Sequence, residues 1–433
     1  MTADFGFPAN EHSATLAEVG EGETLRRIFP RLPHAAAELL GPGDDAAVVA
    51  APDGRFVVTT DMMVHGPDFR TAWSTPHDLG WKAAMTNLAD VAAMGARPTA
   101  LVVAIAAPLD TPVEALLGIA DGLRDGCAAA APGCGVVGGD LSVSSALTLT
   151  VTAFGDLEGR APVTRSGARP GDVLAVAGEL GRAGAGIWLL FRDGVTGAAG
   201  GWSAGAVEEG RSSGEAGADA SGAAGGWSAG AAEEGRSGAE GADASGSAGS
   251  GRVATPAVGA GAGAGVRPEA ASGVVPGEPD AARAAVLRRD HADIVEAQLR
   301  PTVPVSLGVA AALGGATAML DVSDGLALDA RRIAVASGCT VRLDPGAIAR
   351  EARDLIDLDA VVGDHAVDFV LAGGEDHALL AAFPPGVPLP TGFRALGTIV
   401  DAGGAAPVVL LGDRPYDELG GWDPYADWNG EAG

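Results

Sequence analysis

The sequence predicts an α/β (α+β) fold in two domains, with a long disordered insert inside the second. The chain has 433 residues, more than a single domain usually holds. Apolar runs typical of strands alternate with amphipathic segments typical of helices in both halves. One stretch, at about 194–280, is instead mostly Gly, Ala, Ser and Glu. We therefore expect domains at 1–157 and 158–433, the second interrupted by this insert.

Strands and helices alternate through the first domain. The predicted strands are FVVTTDMMV at 56–64, ALVVAIAAP at 100–108 and SSALTLTVTAFG at 144–155. Helices are predicted for TPHDLGWKAAMTNLADVAAMG at 75–95 and TPVEALLGIADGLRDGCAAA at 111–130. This order is typical of a sheet that carries helices on its face.

The helix predicted at 75–95 has local signals at both ends. Thr75 suits the N-cap, Pro76 the first helical position and Asp78 the third. Gly95 suits the position just after the helix, where a left-handed backbone is common. Its apolar stripe consists of Trp81, Met85, Leu88 and Ala92, and its polar stripe of Lys82, Thr86 and Asp90.

The second domain repeats this alternation on both sides of the insert. Its predicted strands lie near DVLAVAG, ATAMLDVS, CTVRLD and HALLAAF. The insert contains a repeat, since 198–222 is followed by a near copy at 223–246. Such a composition cannot bury enough apolar surface to offset the entropy of an ordered chain, so we expect it to be disordered.

Composition argues against several classes of partner. The formal net charge of -28 would repel nucleic acid and anionic membranes. We find no signal peptide and no apolar run near the roughly 20 residues that span a bilayer. The cysteines, Cys127, Cys134 and Cys339, form no CxxC pair, which indicates a reduced, cytoplasmic chain. The only lysine is Lys82, so the chain has no P-loop.

Acidic residues recur beside glycines and at predicted strand ends. They are Asp44 and Asp45 in GPGDDAAVV, Asp61 in TTD, Asp140 in VVGGD, Asp321 and Asp324 in LDVSDGL, and Glu375 and Asp376 in LAGGEDHALL. Any one could be an ordinary turn or capping residue, and Asp376 could cap the helix that follows it. Together they indicate a ligand site, because strand ends in α/β proteins gather at one edge. Neighbouring carboxylates need cations, and hard oxygen ligands point to Mg²⁺ that bridges a polyphosphate.

Eight segments resemble the thiamine-monophosphate kinases, relatives of aminoimidazole ribonucleotide synthetase and selenophosphate synthetase. The segments are GPGDDAAVV, TTDMMV, WKAAMTNLADVAAMGARP, VVGGDLS, TRSGARPGD, LDVSDGLALD, AGGEDHALL and GGWD. The resemblance implies a two-domain aminoimidazole ribonucleotide synthetase-like fold and a homodimer whose N-terminal domains bind ATP and Mg²⁺ and pack together. It also implies direct transfer of the γ-phosphoryl group of ATP to thiamine monophosphate, the last step of thiamine diphosphate biosynthesis.

The same resemblance assigns roles to single residues. The implied magnesium ligands are Asp45, Thr59, Thr60, Asp61, Asp90, Asp140, Asp321 and Asp324. The implied ATP contacts are Gly139, Asp140, Arg165 and Ser323, and the implied substrate contacts are Glu375 and Trp422. No side chain is expected to act as nucleophile or base, because Mg²⁺ and Arg165 would stabilise the charge that is transferred.

One position departs from the family pattern. The histidine that commonly follows the TTD aspartate by seven residues is replaced by Asp68, and a histidine stands at His65 instead. Either His65 takes over the contact with the substrate, or Asp68 binds the cationic thiazolium or a metal.

Two other interpretations stay open at the level of sequence. One is a sister enzyme of the superfamily, although the reactive N-terminal Cys or selenocysteine of selenophosphate synthetase and the terminal cysteine of the hydrogenase-maturation homologue are not found. The other is a catalytically silent nucleotide-binding or scaffold protein. The candidate metal carboxylates are all present, which favours an active enzyme.

Overall fold

A computed structural model of the chain describes residues 14–42, 46–196 and 277–416. Three parts of the sequence-based prediction lie outside these residues: nearly all of the insert, the GPGDDAAVV aspartates Asp44 and Asp45, and Trp422. The described residues belong to one compact unit.

Helices and strands alternate along the described chain, which confirms the predicted mixed class. The helices are α1 (Leu16–Val19), α2 (Glu21–Ile28), α3 (Pro76–Ala93), α4 (Val113–Ala130), α5 (Arg182–Asp193), α6 (Ala281–Asp290), α7 (Ala292–Leu299), α8 (Val305–Leu313), α9 (Leu326–Ser337), α10 (Pro345–Leu358) and α11 (Ala366–Ala372). The strands are β1 (Glu38–Leu40), β2 (Val48–Val49), β3 (Val57–Val64), β4 (Arg97–Ala107), β5 (Gly135–Val143), β6 (Thr148–Asp156), β7 (Val173–Ala177), β8 (Ala318–Val322), β9 (Thr340–Leu343), β10 (Ala378–Phe383), β11 (Arg394–Val400), β12 (Val409–Leu411) and β13 (Arg414–Pro415).

Helix α3 begins and ends as its sequence predicts. Thr75 is the N-cap, and a capping box joins its hydroxyl to the Asp78 N–H and the Asp78 carboxylate to the Thr75 N–H. Gly95 follows the helix with a φ of 70°, in the left-handed region that glycine adopts without strain. The centre of the helix is almost entirely buried, so α3 runs through the interior of the protein.

The first sheet has four strands in the order β3-β6-β4-β5. Only β4 and β5 are parallel. Alternate residues of β3 point to opposite faces, as in any strand. Thr59 and Asp61 face α3, whereas Val58 and Met62 face outward and are 53% and 59% exposed. One face of this sheet is therefore covered by helices and the other is open.

The second sheet has seven strands in the order β13-β12-β9-β11-β7-β10-β8. Strand β10, which lies between β7 and the edge strand β8, is buried along its whole length, because both of its faces are covered. Leu379 and Ala381 pack into the core that also holds α3 and the first sheet. Leu380 and Ala382 pack into a second core with helices such as α5, α9, α10 and α11. The shared core brings α3 beside both sheets.

The first sheet lies within residues 57–156 and the second within 173–415. A domain boundary between 157 and 158 is compatible with this division and remains a prediction. Among the described residues, no helix is both long enough and apolar enough to cross a membrane.

Candidate functional site

The polar stripe of α3 runs between the two sheets. Lys82 and Thr86 are 5% and 9% exposed, and Asp90 is half-buried, so these polar groups lie inside a largely apolar helix surface. Residues four apart share one face of a helix. Because burying polar groups costs free energy, each of them should have a partner or a ligand. Asp90 finds its partner on β3 and Lys82 in the segment before β10, whereas Thr86 is bonded within α3.

At the C-terminal end of the stripe, Asp90 meets β3. The Thr59 hydroxyl donates a hydrogen bond of 2.6 Å to Asp90 Oδ2, and the Asp61 N–H donates one of 3.2 Å to Asn87 Oδ1. The alternation along β3 explains this contact, because Thr59 and Asp61 are two residues apart and share the face toward α3. Three candidate metal ligands are thus brought together.

Asp321 and Asp324 face this group from the second sheet. Burial, together with the carboxylates of Asp321 and Asp61, raises the pKa of Asp90 to about 6. Burial also raises the pKa of Asp61, with added contributions from Asp321 and Asp324. Asp321 and Asp324 therefore lie close enough to oppose the ionisation of Asp61, and Asp321 opposes that of Asp90 as well.

His377 lies in the middle of these carboxylates. It is 6% exposed, and its Nδ1 is 3.1 Å from Asp321 Oδ2. Burial alone would lower the pKa of His377, but the hydrogen bond to Asp321 and the surrounding carboxylates outweigh burial and raise it. The sequence favours a surface or capping role for His377 over a role as a ligand. A surface role is wrong, because the pairing of β10 with β8 buries the ring beside Asp321.

Asp329 is a further residue of the site that the sequence analysis did not name, and its carboxylate supports the loop after β8. Asp329, in the first turn of α9, accepts a hydrogen bond of 3.1 Å from the Asp324 N–H. Arg332 pairs with both Asp324 and Asp329. Burial raises the pKa of Asp329 to about 7, although Arg332 opposes the shift. The signal for Asp329 was present in the LDVSDGLALD segment, as an acidic residue in the first turn of a helix.

At the N-terminal end of the stripe, Lys82 meets Glu375. The Lys82 Nζ lies 3.0 Å from each Glu375 carboxylate oxygen, and Gln298 donates a further short hydrogen bond to the same carboxylate. Burial alone would raise the pKa of Glu375, but Lys82 and Gln298 outweigh burial and hold it below its usual value. Glu375 and His377 both have positive φ, 65° and 52°, a strained backbone that is typical of functional sites.

Asp376, between these two residues, has a structural role. Its carboxylate accepts hydrogen bonds of 2.6 Å from the Gly181 N–H and 2.9 Å from the Ala183 N–H. It therefore caps the N-terminus of α5. The suggestion that Asp376 caps the helix after it was wrong, since strand β10 follows and the capped helix lies far upstream.

The turn after β3 places Asp68 near Glu375 and Lys82. Asp68 Oδ2 accepts a hydrogen bond of 2.7 Å from the Val64 N–H. Burial raises the pKa of Asp68, Glu375 raises it further and Lys82 lowers it, so these three side chains affect one another. His65 is buried, packs its ring against Phe69 and lies 3.4 Å from the Thr71 hydroxyl. Burial and nearby Arg70 lower the pKa of His65.

Two implied metal ligands lie on the other face of the first sheet. The Thr60 hydroxyl donates to the Val151 carbonyl and accepts from Thr152. Asp140 is exposed and stands beside Ala104 on β4, in line with the outward residue Met62. The expectation that Asp61 and Asp140 end their strands was wrong, because both lie inside β3 and β5, whereas Asp321 and Asp324 do lie at the end of β8.

The implied ATP contacts are spread around the site. Gly139 lies inside β5, where a side chain would collide with the Val103 carbonyl of β4. Arg165 is exposed, and its carbonyl accepts a hydrogen bond from the Ser337 hydroxyl. Ser323 accepts a hydrogen bond of 2.7 Å at its carbonyl from the Glu375 N–H. Ser323 therefore links the metal side of the site to the substrate side.

The donor set fits Mg²⁺ better than a transition metal, since the groups that face one another are carboxylate and hydroxyl oxygens. Within the ranges 14–42, 46–196 and 277–416, however, no three His, Cys, Asp or Glu side chains are arranged closely enough to hold a metal ion. Carboxylates that raise one another's pKa are drawn together when a cation neutralises them. The role of each ligand remains a prediction.

Comparison with known proteins shows first which class of fold the chain has. Residues 43–157 match the family model "AIR synthase related protein, N-terminal domain". A thiamine-monophosphate kinase from Stenotrophomonas maltophilia superposes with a TM-score of 0.56 at 24% identity, over 90% of this chain and 94% of that one. A second structure, "AaThiL complexed with AMPPCP and TMP", gives 0.54 at 22% identity, over 86% and 90%. These comparisons confirm the predicted aminoimidazole ribonucleotide synthetase-like fold.

Similarity in sequence then gives the family. The chain is 36% identical over 416 residues to thiamine-monophosphate kinase of Mycobacterium tuberculosis H37Rv, which covers 96% of this chain and 93% of the relative. It is 31% identical over 388 residues to the Corynebacterium glutamicum enzyme, over 89% and 87%. The chain belongs to the thiamine-monophosphate kinase family.

Proposed function

We propose that the chain transfers the γ-phosphoryl group of ATP directly to the phosphate of thiamine monophosphate, giving thiamine diphosphate in the last step of that cofactor's synthesis. The names of its relatives support the reaction. A protein of the same fold is described in complex with AMPPCP and TMP, which supports ATP and thiamine monophosphate as ligands.

The observation that carries the proposal is the meeting of Asp61 and Asp90 where β3 contacts α3, with Asp321 and Asp324 close enough to raise the pKa of Asp61 and Asp321 close enough to raise that of Asp90. Such a group is destabilising without a cation and suited to Mg²⁺ with a polyphosphate. Mg²⁺ held by these residues would neutralise the phosphates of both substrates when it is bound.

Direct transfer agrees with the residues that the site offers. The acceptor is a phosphate anion, so it needs no strong base to activate it. The protein's task is then to align the donor and acceptor phosphates and to offset their charge, for which Arg165 is available.

The length of the polar stripe suits a substrate that lies along α3. Lys82 and Asp90 are eight residues apart, or about 12 Å along a helix that rises 1.5 Å per residue. We place the thiamine rings near Glu375 and Asp68, at the Lys82 end. The phosphate lies at the Asp90 end, beside the metal carboxylates.

We also propose that the chain forms a homodimer through the open face of the first sheet. Phe56, Val58 and Met62 are 57%, 53% and 59% exposed there, and Phe56 packs on Phe154 of β6. An exposed sheet face that carries several large apolar side chains usually meets a partner. A second copy is the occupant we propose, which agrees with the packing of N-terminal domains that the family resemblance implies. The cytoplasmic location inferred from the cysteines remains a prediction.

The proposed reaction is tested by incubating the protein with ATP, Mg²⁺ and thiamine monophosphate and measuring thiamine diphosphate. Formation of ADP and thiamine diphosphate in equal amounts is the expected result. Consumption of ATP only with another acceptor would overturn the assignment, and no consumption with any acceptor would support a silent nucleotide-binding protein.

The metal role is tested with Asp321→Asn, which keeps the size of the side chain and removes its charge. We expect loss of turnover with an unchanged circular dichroism spectrum. Asp354→Asn, on the exposed side of α10 and outside the site, is the matched control and should retain activity. Near-normal turnover in Asp321→Asn would remove this residue from the metal set.

A further inference from the structure

The single lysine of the chain lies directly behind Glu375. Lys and Arg together number 28, and every one except Lys82 is an arginine. Lys82 Nζ is 3.0 Å from both carboxylate oxygens of Glu375. The ammonium group of lysine is compact and can contact both oxygens of one carboxylate. The guanidinium group of arginine is broad and planar, so it would occupy the same space with a different geometry.

Lys82 is enclosed by protein, whereas Glu375 is accessible. The Lys82 side chain is 6% exposed, whereas that of Glu375 is 37% exposed. The lysine is therefore enclosed by protein, and the carboxylate in front of it is accessible. A ligand that enters this site would touch Glu375 and not Lys82.

Gln298 of α7 is a second enclosed donor to the same carboxylate. It is 3% exposed, and its amide N–H donates to Glu375 Oε2. Its Oε1 atom is buried and has no hydrogen-bond partner among the described residues. Burying an unpaired carbonyl oxygen costs stability. Gln298 is thus poorly suited to a purely structural role. The hydrogen bond that its side chain makes goes to Glu375.

The backbone of Glu375 is held as well. Its φ of 65° is unfavourable for a residue that carries a side chain, and its N–H donates to the Ser323 carbonyl. A strained conformation persists when its surroundings determine it, and here two buried side chains and one backbone hydrogen bond do so.

We propose that Lys82 and Gln298 are positioning residues that fix the Glu375 carboxylate toward the ring portion of thiamine monophosphate and act only through Glu375. This inference rests on the proposed function. Lys82 reaches Glu375 from α3, which carries Asp90 at its other end, so one helix sets the distance between the ring site and the metal site.

The first test compares Lys82→Met with a structural control on the same helix. Arg288 of α6 pairs with buried Asp78, one turn before Lys82, so Arg288→Met also removes a cation that bonds α3. Lys82→Met should raise the KM for thiamine monophosphate on the order of tenfold to a hundredfold, the range of a lost charge-assisted hydrogen bond, and change the KM for ATP little. Arg288→Met should lower stability without this selective rise, and Lys82→Arg should recover part of the loss.

The second test uses Gln298→Leu, which keeps the volume and removes both the donor and the unpaired oxygen. It should raise the KM for thiamine monophosphate several-fold while leaving Tm unchanged or higher. A structural role for Gln298 predicts the opposite, a lower Tm with an unchanged KM. This variant keeps the proposal open to refutation even if Lys82→Met does not fold.

The third test asks whether Lys82 acts through Glu375. If it does, Lys82→Met placed in a Glu375→Gln background should change the KM by less than about twofold, because the contact is already lost. Additive effects would show that Lys82 contacts the substrate itself and would overturn the proposal, as would equal KM values for Lys82→Met and Arg288→Met. Absence of thiamine diphosphate in the wild-type assay would instead refute the proposed function.

Discussion

Replacing Asp90 by Asn should make the metal-free protein more stable and at the same time abolish its Mg²⁺-dependent activity. Asp90 is half-buried beside Asp61 and Asp321, and burial with these charges raises its pKa to about 6 from an ordinary value of 3.8. An asparagine can still accept the Thr59 hydrogen bond at its oxygen, and it removes the negative charge.

The size of the effect follows from the pKa. A difference of about 2 units corresponds to about 3 kcal/mol of cost for holding Asp90 ionised in the folded chain, at 1.36 kcal/mol per unit. Because the folded-state pKa is raised, stability is highest below the unfolded pKa and is lost as the pH rises through about 6. The whole cost is therefore present at pH 7.5, and about 1.4 kcal/mol of it is relieved at pH 5.

The assay is urea denaturation in EDTA at pH 7.5 and at pH 5. Asp90→Asn should exceed the wild type by up to about 3 kcal/mol at pH 7.5 and by roughly half of that at pH 5. Saturating Mg²⁺ should stabilise the wild type and leave Asp90→Asn unaffected, since we expect only the wild type to bind the ion. Asp354→Asn is the control, and it should stay within about 0.5 kcal/mol of the wild type.

A variant less stable than the wild type at pH 7.5 would refute this account, because it would mean that ionised Asp90 contributes favourable contacts in the absence of metal. A constant difference between pH 7.5 and pH 5 would refute it as well, since the cost would then not depend on the ionisation of Asp90.

The remaining predictions concern the substrate turn, the insert and the open sheet face. Asp68→Ala should raise the KM for thiamine monophosphate more than His65→Ala, because Asp68 lies near Glu375 and Lys82 whereas His65 packs against Phe69; steady-state kinetics decides, and if neither variant moves the KM both assignments fail. Deletion of 197–276 should leave kcat and KM unchanged, and a large loss in a well-folded deletion variant would contradict this. Met62→Glu should convert the proposed dimer to a monomer in sedimentation, because it places a charge on the apolar face; an unchanged dimer would move the interface elsewhere.

The sequence predicts an element well where its signals are local. Helix α3 begins at Pro76 after the Thr75 cap and is followed by a left-handed Gly95, as expected, because caps and glycines act within a few residues of where they stand. The strand predicted at 56–64 matches β3, but the placement of Asp61 at a strand end does not, since a strand extends as far as its partner pairs. Eight residues of β3 pair with β6, which leaves Asp61 in the middle of the strand.

In the candidate site, too, the features that depend on contacts between distant segments could not be predicted from the sequence. The residues implied by the family resemblance include those that meet around Asp90, but the faces they occupy follow from sheet register. Asp140 points outward because Val102 pairs with Gly138 after an irregularity that begins at Leu101. That shift in register decides which face of the sheet the following residues of β5 occupy. No local pattern in the sequence predicts it. Gln298 reaches Glu375 across 77 residues of chain, so spacing could not reveal it.

The composition of the chain helps to explain how α3 can serve both ends of the site. Gly80 on α3 and Gly122 on α4 each lie where a side chain would strike the backbone of the other helix. The two helices therefore pack backbone against backbone, closer than larger residues permit. Close-packed interiors resist small displacements. The two glycines thus hold α3 close against α4. That is what keeps Lys82 aligned with Glu375 while Asp90 faces Asp321 two turns away.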